Sequence, residues 1–137
     1  MNNKNGINND IDLQVLSAIH KYYEHKNMIE DVTIEKVFER VDIQNTEIMF
    51  VLRRTVNNQF KGLYNLHFDF NHKFKQSIKN LISCKTDIIY FTYGMQNIDF
   101  FRNGTLFIIQ HSPIDGVYNN FAITKKELER LLKILKF

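Results

Sequence analysis

Apolar side chains recur along this chain with two different periods, and the change between them predicts two structural halves. From Asp12, Leu13, Leu16, Ile19 and Tyr23 stand three or four residues apart, which puts one apolar stripe on a helix that Asp10 or Asp12 caps and that ends near Asn27. Thr33 then caps a shorter predicted helix on which Ile34, Val37, Phe38 and Val41 keep helical spacing. Asp42 to Gln44 reads as a tight turn, and Asn45 caps a third helix, to Asn58, through Ile48, Val51, Leu52 and Val56. From Leu63 the period becomes two. Tyr64, Leu66, Phe68 and Phe70 share one face of a strand, and His67 and Asp69 take the other.

The second half continues with a predicted helix from Asn71 to Ser83, with Phe74, Ile78, Leu81 and Ile82 inward and Lys73, Lys75 and Lys79 outward. Strands are predicted at Ile88 to Tyr93, Ile98 to Arg102, Thr105 to Gln110 and Val117 to Ile123. Asn103-Gly104 is a hairpin signal, because both residues tolerate positive φ. A loop runs from Ser112 to Gly116. Thr124 and Glu127 form a T-x-x-E capping box, followed by the stripe Leu128, Leu131, Leu132 and Leu135. The expected fold class is α+β. A tail (1–9) precedes a three-helix lobe (10–62), and a mostly antiparallel sheet with two packed helices (63–137) completes one compact unit.

Composition narrows the class without naming a function. With 137 residues, 44% of them hydrophobic, and 12 Phe against 1 Pro, the chain has material for one packed domain and few forced breaks. Its Asn-rich start lacks the apolar stretch of a signal peptide, no run suffices to span a bilayer, and the single cysteine fits a reducing compartment. A cytoplasmic protein without membrane association is expected, with Cys84 in the core or half-buried. The wealth of Asn, Ile, Lys and Phe suggests an AT-rich genome of bacterial, phage or mobile-element type. Charge is uneven: Met1 to Gly62 carries 8 Lys/Arg against 9 Asp/Glu, hence −1, whereas Leu63 to Phe137 carries 10 against 6, hence +4.

The stretch from Thr33 to Val56 resembles a helix-turn-helix of the winged-helix kind. Ile34, Val37, Val41, Ile43, Ile48 and Leu52 occupy the offsets that lock two such helices, and the helix from Asp12 to Lys26 stands where a supporting helix belongs. The resemblance implies a regulatory protein that reads double-stranded DNA with the Asn45 to Asn58 helix in the major groove. Asn45, Thr46, Met49, Phe50 and Arg53 would then face the duplex. Arg53 and Arg54 would reach guanine edges or phosphates, and Lys73, Lys75 and Lys79 would add phosphate contacts. A homodimer through the last helix suits such a reader.

A second reading is a small inhibitor or immunity protein that occludes a partner protein. Met49 and Phe50 together suit an apolar interface, whereas the near-neutral first half suits phosphate poorly. Catalytic patterns are thin. His67, Asp69 and His72 form an H-x-D-x-x-H run without a further ligand nearby, and His111, Ser112 and Asp115 are adjacent in a predicted loop. No phosphate-cradling glycine motif is present, and the expectation is a non-enzymatic protein without cofactor or metal.

Overall fold

The computed structural model describes residues 29–41, 46–70, 73–114 and 116–136. The predicted tail, the first helix and the Asp42 to Gln44 turn therefore lie outside the described residues, as do Asn45 and Asp115. The described part is mostly β, a seven-stranded mixed sheet with two short helices. Three strands come first: β1 (Glu30–Val41), β2 (Thr46–Val56) and β3 (Gln59–Phe70). Helix α1 (Phe74–Ile82) follows, then β4 (Ile88–Tyr93), β5 (Gln96–Asn103), β6 (Leu106–Ser112) and β7 (Asn119–Thr124), and finally α2 (Lys125–Ile134).

This overturns the expected three-helix lobe, because Thr33 to Val56 forms two strands of a hairpin rather than two helices. In β1 the reason lies in one residue. β1 and β2 pair antiparallel with a bulge between Ile34 and Lys36, so the inward positions run Val32, Ile34 and then Val37. A bulge inserts one unpaired residue and resets the alternation. Here it turns a spacing of two into a spacing of three, which imitates a helix. In β2 the alternation is regular: Ile48, Phe50 and Leu52 are fully buried. Asn57 and Asn58 both have positive φ and join β2 to β3 as a two-residue turn, the backbone that type I′ hairpins require and Asn tolerates.

The strand order is β3-β2-β1-β7-β6-β5-β4. All neighbours are antiparallel except β1 and β7, which run parallel over only Glu30–Asp31 against Phe121–Ala122. Two antiparallel meanders thus meet at a short parallel seam. The ends of the order curl toward each other, and Cα atoms of β3 and β4 come within 8 Å, so the sheet forms an incomplete barrel. Its concave face holds the main core, which includes Phe50, Leu66, Ile98, Phe100, Ile109 and Phe121. The helices supply Phe74, Ile78, Leu81, Leu128 and Leu131 to the same core. Phe74 is central: its ring centroid lies 5.4 Å from Phe50, 5.1 Å from Phe91 and 6.0 Å from Phe100, which joins the two meanders. A smaller cluster on the opposite face gathers Ile88, Phe101, Ile108 and Ala122 with Ile29.

The second half matches its reading more closely, with two shifts. The β5–β6 turn is Gly104-Thr105, with Asn103 paired to Leu106 and only Gly104 at positive φ, as a glycine-first II′ turn demands. β6 extends to Ser112, so His111 and Ser112 belong to a strand. Thr124 Oγ1 accepts from the Glu127 amide at 3.1 Å, which is the predicted cap. The Glu127 carboxylate turns elsewhere: Oε1 accepts from the Ile34 amide at 2.8 Å, and Arg130, paired with Glu127, donates to the Ile34 carbonyl. Both backbone groups of Ile34, at the β1 bulge, are thereby held by α2. No helix among the described residues is long and apolar enough to cross a membrane.

Candidate functional site

The interior of the barrel is apolar except at one end. Inward-facing positions there come from six strands: Glu30 of β1, Arg54 of β2, Tyr64 of β3, Gln96 of β5, His111 of β6 and Asn119 of β7. They share a level because the strand pairings align the start of β1 with the end of β2, the start of β3 and the start of β7. We refer to this end as the mouth.

A directed chain of hydrogen bonds crosses the mouth. Asn119 Nδ2 donates to the Tyr64 hydroxyl at 2.9 Å, and that hydroxyl lies 2.5 Å from His111 Nδ1. On the other side of the ring, His111 Nε2 lies 2.7 Å from Gln96 Oε1. A carbonyl oxygen only accepts, so Nε2 carries a proton, and in the neutral ring Nδ1 then accepts from Tyr64. Directed this way, the chain holds a neutral imidazole. Burial favours that state and holds the His111 pKa below its ordinary 6.5. Burial also raises the Tyr64 hydroxyl above its ordinary 10.0, against a smaller lowering by the Asn119 hydrogen bond. The Tyr64 ring packs on Phe121 at 4.7 Å.

Beside this chain, Arg54 Nη1 reaches Glu30 Oε1 at 3.3 Å and Nη2 donates to the Lys61 carbonyl at 2.6 Å. Gly62 allows the second contact. It stands opposite Arg54 just past the β3 bulge, its φ is +110°, and a Cβ there would sit 3.2 Å from Arg54 Nη2. Next to the mouth, Gln110 Nε2 donates to Asn120 Oδ1 at 2.8 Å.

The opposite, outward face of the β1–β3 meander has a different character. Register places Phe38, Met49 and His67 in one cross-strand row, Lys36, Val51 and Asn65 in the next, and Thr33, Arg53 and Leu63 in a third. Phe38, Phe60 and Leu63 are 47%, 52% and 53% exposed. Cations lie over the rings, with Lys36 Nζ 5.7 Å from the Phe38 centroid and the Arg53 guanidinium 4.2 Å from that of Phe60. Acids oppose the bases: Arg53 pairs with Glu35 at 3.8 Å and Arg40 with Glu47 at 3.5 Å.

Strand geometry disperses the set predicted to read DNA. Met49 and Arg53 lie on the outward face, but Phe50 is fully buried and Arg54 turns into the mouth. Thr46 opens β2 and its side chain lies outside the described residues, as does all of Asn45. On α1, Lys73 and Lys79 are exposed, whereas Lys75 Nζ donates to the Leu135 carbonyl at 3.1 Å. These residues form no single surface, and no recognition helix exists for them to ride on. Cys84 is exposed and at positive φ in the turn after α1, which corrects its expected place in the core. Among the described residues no group of His, Cys, Asp and Glu is arranged to hold a metal ion, and His67 lies 3.6 Å from Glu47.

Sequence reasoning missed the mouth altogether. Its members are scattered over six strands, and only the curl of the sheet brings Tyr64 to His111. The available signal was weak but present: single polar residues ending otherwise apolar alternations, as His111 does after Phe107 and Ile109, and Arg54 after Phe50 and Leu52. Comparison with family models, with curated proteins and with solved structures finds no match for this chain.

Proposed function

We propose that the chain is a non-enzymatic, cytoplasmic binding protein that occludes a partner protein with the outward face of its β1–β3 meander. The observation that carries this reading is the half-exposure of Phe38, Phe60 and Leu63 on one continuous sheet face, with Met49 and Val51 between them. Contiguous apolar side chains rimmed by charges mark protein interfaces more often than idle surface. Aromatic and arginine side chains supply most hot spots, and this face offers Phe38, Phe60 and Arg53.

Duplex DNA suits this face less well. Glu35 and Glu47 already oppose Arg53 and Arg40, and their carboxylates repel phosphate. The test is capture of binding proteins by the immobilised chain and by a Phe60→Ser/Leu63→Ser variant, followed by reconstitution of any complex from purified components. A partner retained by the wild type, lost by the variant and reproduced in purified form supports the reading. Equal retention by both chains overturns it, and so does retention of duplex DNA alone, lost between about 50 and 200 mM salt.

A further inference from the structure

The two helices lie on the side of the sheet opposite the docking face, and they hold most of the molecule's uncompensated charge. Lys73 to Asp87, which contains α1, carries 4 Lys against 1 Asp, and Lys125 to Lys136, which contains α2, carries 5 Lys/Arg against 2 Glu. The two stretches together are therefore +6, twice the +3 of the whole chain. They form one layer: both helices bury their apolar stripes in the same core, and Lys75 Nζ donates to the Leu135 carbonyl at 3.1 Å, which ties α1 to the end of α2. Pairing divides the two kinds of cation. Each arginine has a carboxylate partner: Arg40 with Glu47, Arg53 with Glu35, Arg54 with Glu30, Arg102 with Asp87 and Arg130 with Glu127. Lys73, Lys79, Lys85, Lys125, Lys126 and Lys133 are exposed, and none of the six is paired with a carboxylate of a described residue. Arginines take Asp87 and Glu127, which leaves Glu129 as the remaining acid of the layer.

Like charges gathered on a rigid layer repel one another and raise the local potential, which a polyanion relieves. The side chains around them decide which polyanion. An anionic bilayer is held by apolar insertion as well as by charge, and Ile134, 36% exposed, is the one large hydrophobic of this layer that reaches solvent among the described residues. A single strand is held by stacking on aromatic rings, and the exposed aromatic side chains of the described residues, Phe38, Phe60 and Tyr90, all stand on strands. The phosphate backbone of a duplex needs neither, because it presents closely spaced charge along its whole length. Lysine ammonium groups also lack the bidentate fork with which arginine reads a guanine edge. We propose that the α1–α2 face binds the phosphate backbone of duplex nucleic acid without reading its sequence.

The test titrates two labelled DNA duplexes of about 20 base pairs and unrelated sequence with the full-length chain, by fluorescence anisotropy at about 50 to 200 mM salt. A single strand of the same length and vesicles containing phosphatidylserine serve as rivals. Both duplexes should bind alike, with Kd on the order of 1 µM at the lowest salt, and log Kd should rise with log salt at a slope of roughly 5, six ammonium groups contributing about 0.9 each. Lys79→Gln/Lys126→Gln/Lys133→Gln should lower that slope by roughly 3 and weaken binding at least about tenfold at an unchanged melting temperature. Lys79→Arg/Lys126→Arg/Lys133→Arg keeps the charge and should bind as the wild type does. Leu63→Ser should leave both Kd and slope unchanged, so that this face and the docking face stand or fall separately. No duplex binding at about 50 mM salt overturns the proposal. Equal binding by the glutamine variant overturns it too, as does a preference of about tenfold or more between the two duplexes, or tighter binding to the single strand or the vesicles.

Discussion

Tyr64 and His111 meet hydroxyl to imidazole at 2.5 Å, although β2, β1 and β7 stand between their strands in the sheet order. Only the curl of the sheet makes that contact, so the pair reports directly on closure of the barrel. Tyr64→Phe removes the hydroxyl and leaves both Asn119 Nδ2 and His111 Nδ1 without their partner. The expected loss of stability is about 1–3 kcal/mol, the usual cost of orphaning half-buried polar groups. Urea denaturation of the two proteins measures it; equal midpoints at equal slopes would show that the contact contributes nothing.

The same pair gives stability a pH dependence. Burial places the folded His111 pKa below 6.5, so the unfolded chain takes up the proton more readily. The stabilisation that depends on the neutral ring is complete above the unfolded value of about 6.5 and is lost as pH falls from there through the lowered folded value. Denaturation midpoints should therefore fall on acidification below about pH 6.5, and a His111→Asn variant should show a flatter profile. A wild-type profile that stays level across this range contradicts the assignment.

Glu127 links α2 to the bulge of β1. Its carboxyl is held below the ordinary 4.5, chiefly by hydrogen bonding to Arg130, with the Ile34 amide adding to the effect against burial. The stabilisation from the ionised form is complete above about 4.5 and disappears as pH falls through the lowered folded value. Glu127→Ala should cost about 1.5–3 kcal/mol, since it removes a charge-assisted bond to backbone. Glu127→Gln should cost less, because its amide oxygen still accepts from Ile34. Thermal melts of the two variants at neutral pH check the ranking, and an Ala variant as stable as the wild type refutes it.

Among the described residues Gly62 is the one glycine where conformation and space both oppose a side chain. Its φ of +110° is foreign to L-residues, and an added Cβ would press on the Arg54 guanidinium at 3.2 Å. Gly62→Ala should destabilise by about 1–3 kcal/mol. It should also loosen Arg54 from the Lys61 carbonyl. At Gly104, equally positive in φ but with nothing near its Cβ, the same change strains the turn without touching Arg54. Comparing the two by chemical denaturation, with the Arg54 side-chain resonance as the local reporter, separates strain from contact; a moved Arg54 resonance in Gly104→Ala alone would reverse this account.

How legible the fold was in the sequence depends on which pattern carried each element. α2 was legible because its cap, Thr124, and its stripe, Leu128, Leu131 and Leu135, are local signals that packing reinforced. β3 from Leu63 onward and β4 to β7 were legible from alternation and turn residues. β1 and β2 were not: the bulge at Glu35 spaces Ile34 and Val37 like a helix, Val51 and Val56 complete a helical stripe with Ile48 and Leu52, and tertiary pairing overrode the periodicity. Two contrary signals were available: the β-branched richness of Val32, Thr33, Ile34, Thr55 and Val56, and the Asn57-Asn58 pair. Met49 and Arg53, expected on the outer side of a helix, lie on the outward face of a sheet instead. The mouth was marked only faintly, by single polar residues that end apolar alternations, since it exists only after the barrel closes.

The central claim, that the outward face of the β1–β3 meander docks a protein, is tested most directly at Leu63. It is half-exposed, so Leu63→Ser should change stability by no more than about 0.5 kcal/mol. Titration of the purified partner against the wild type and this variant, at about 50 and 200 mM salt, isolates the contact from the fold. The account predicts at least a tenfold rise in Kd for the variant, about 1.4 kcal/mol, with little change between the two salt concentrations. An unchanged Kd for Leu63→Ser, or an affinity that collapses with salt alone, contradicts it.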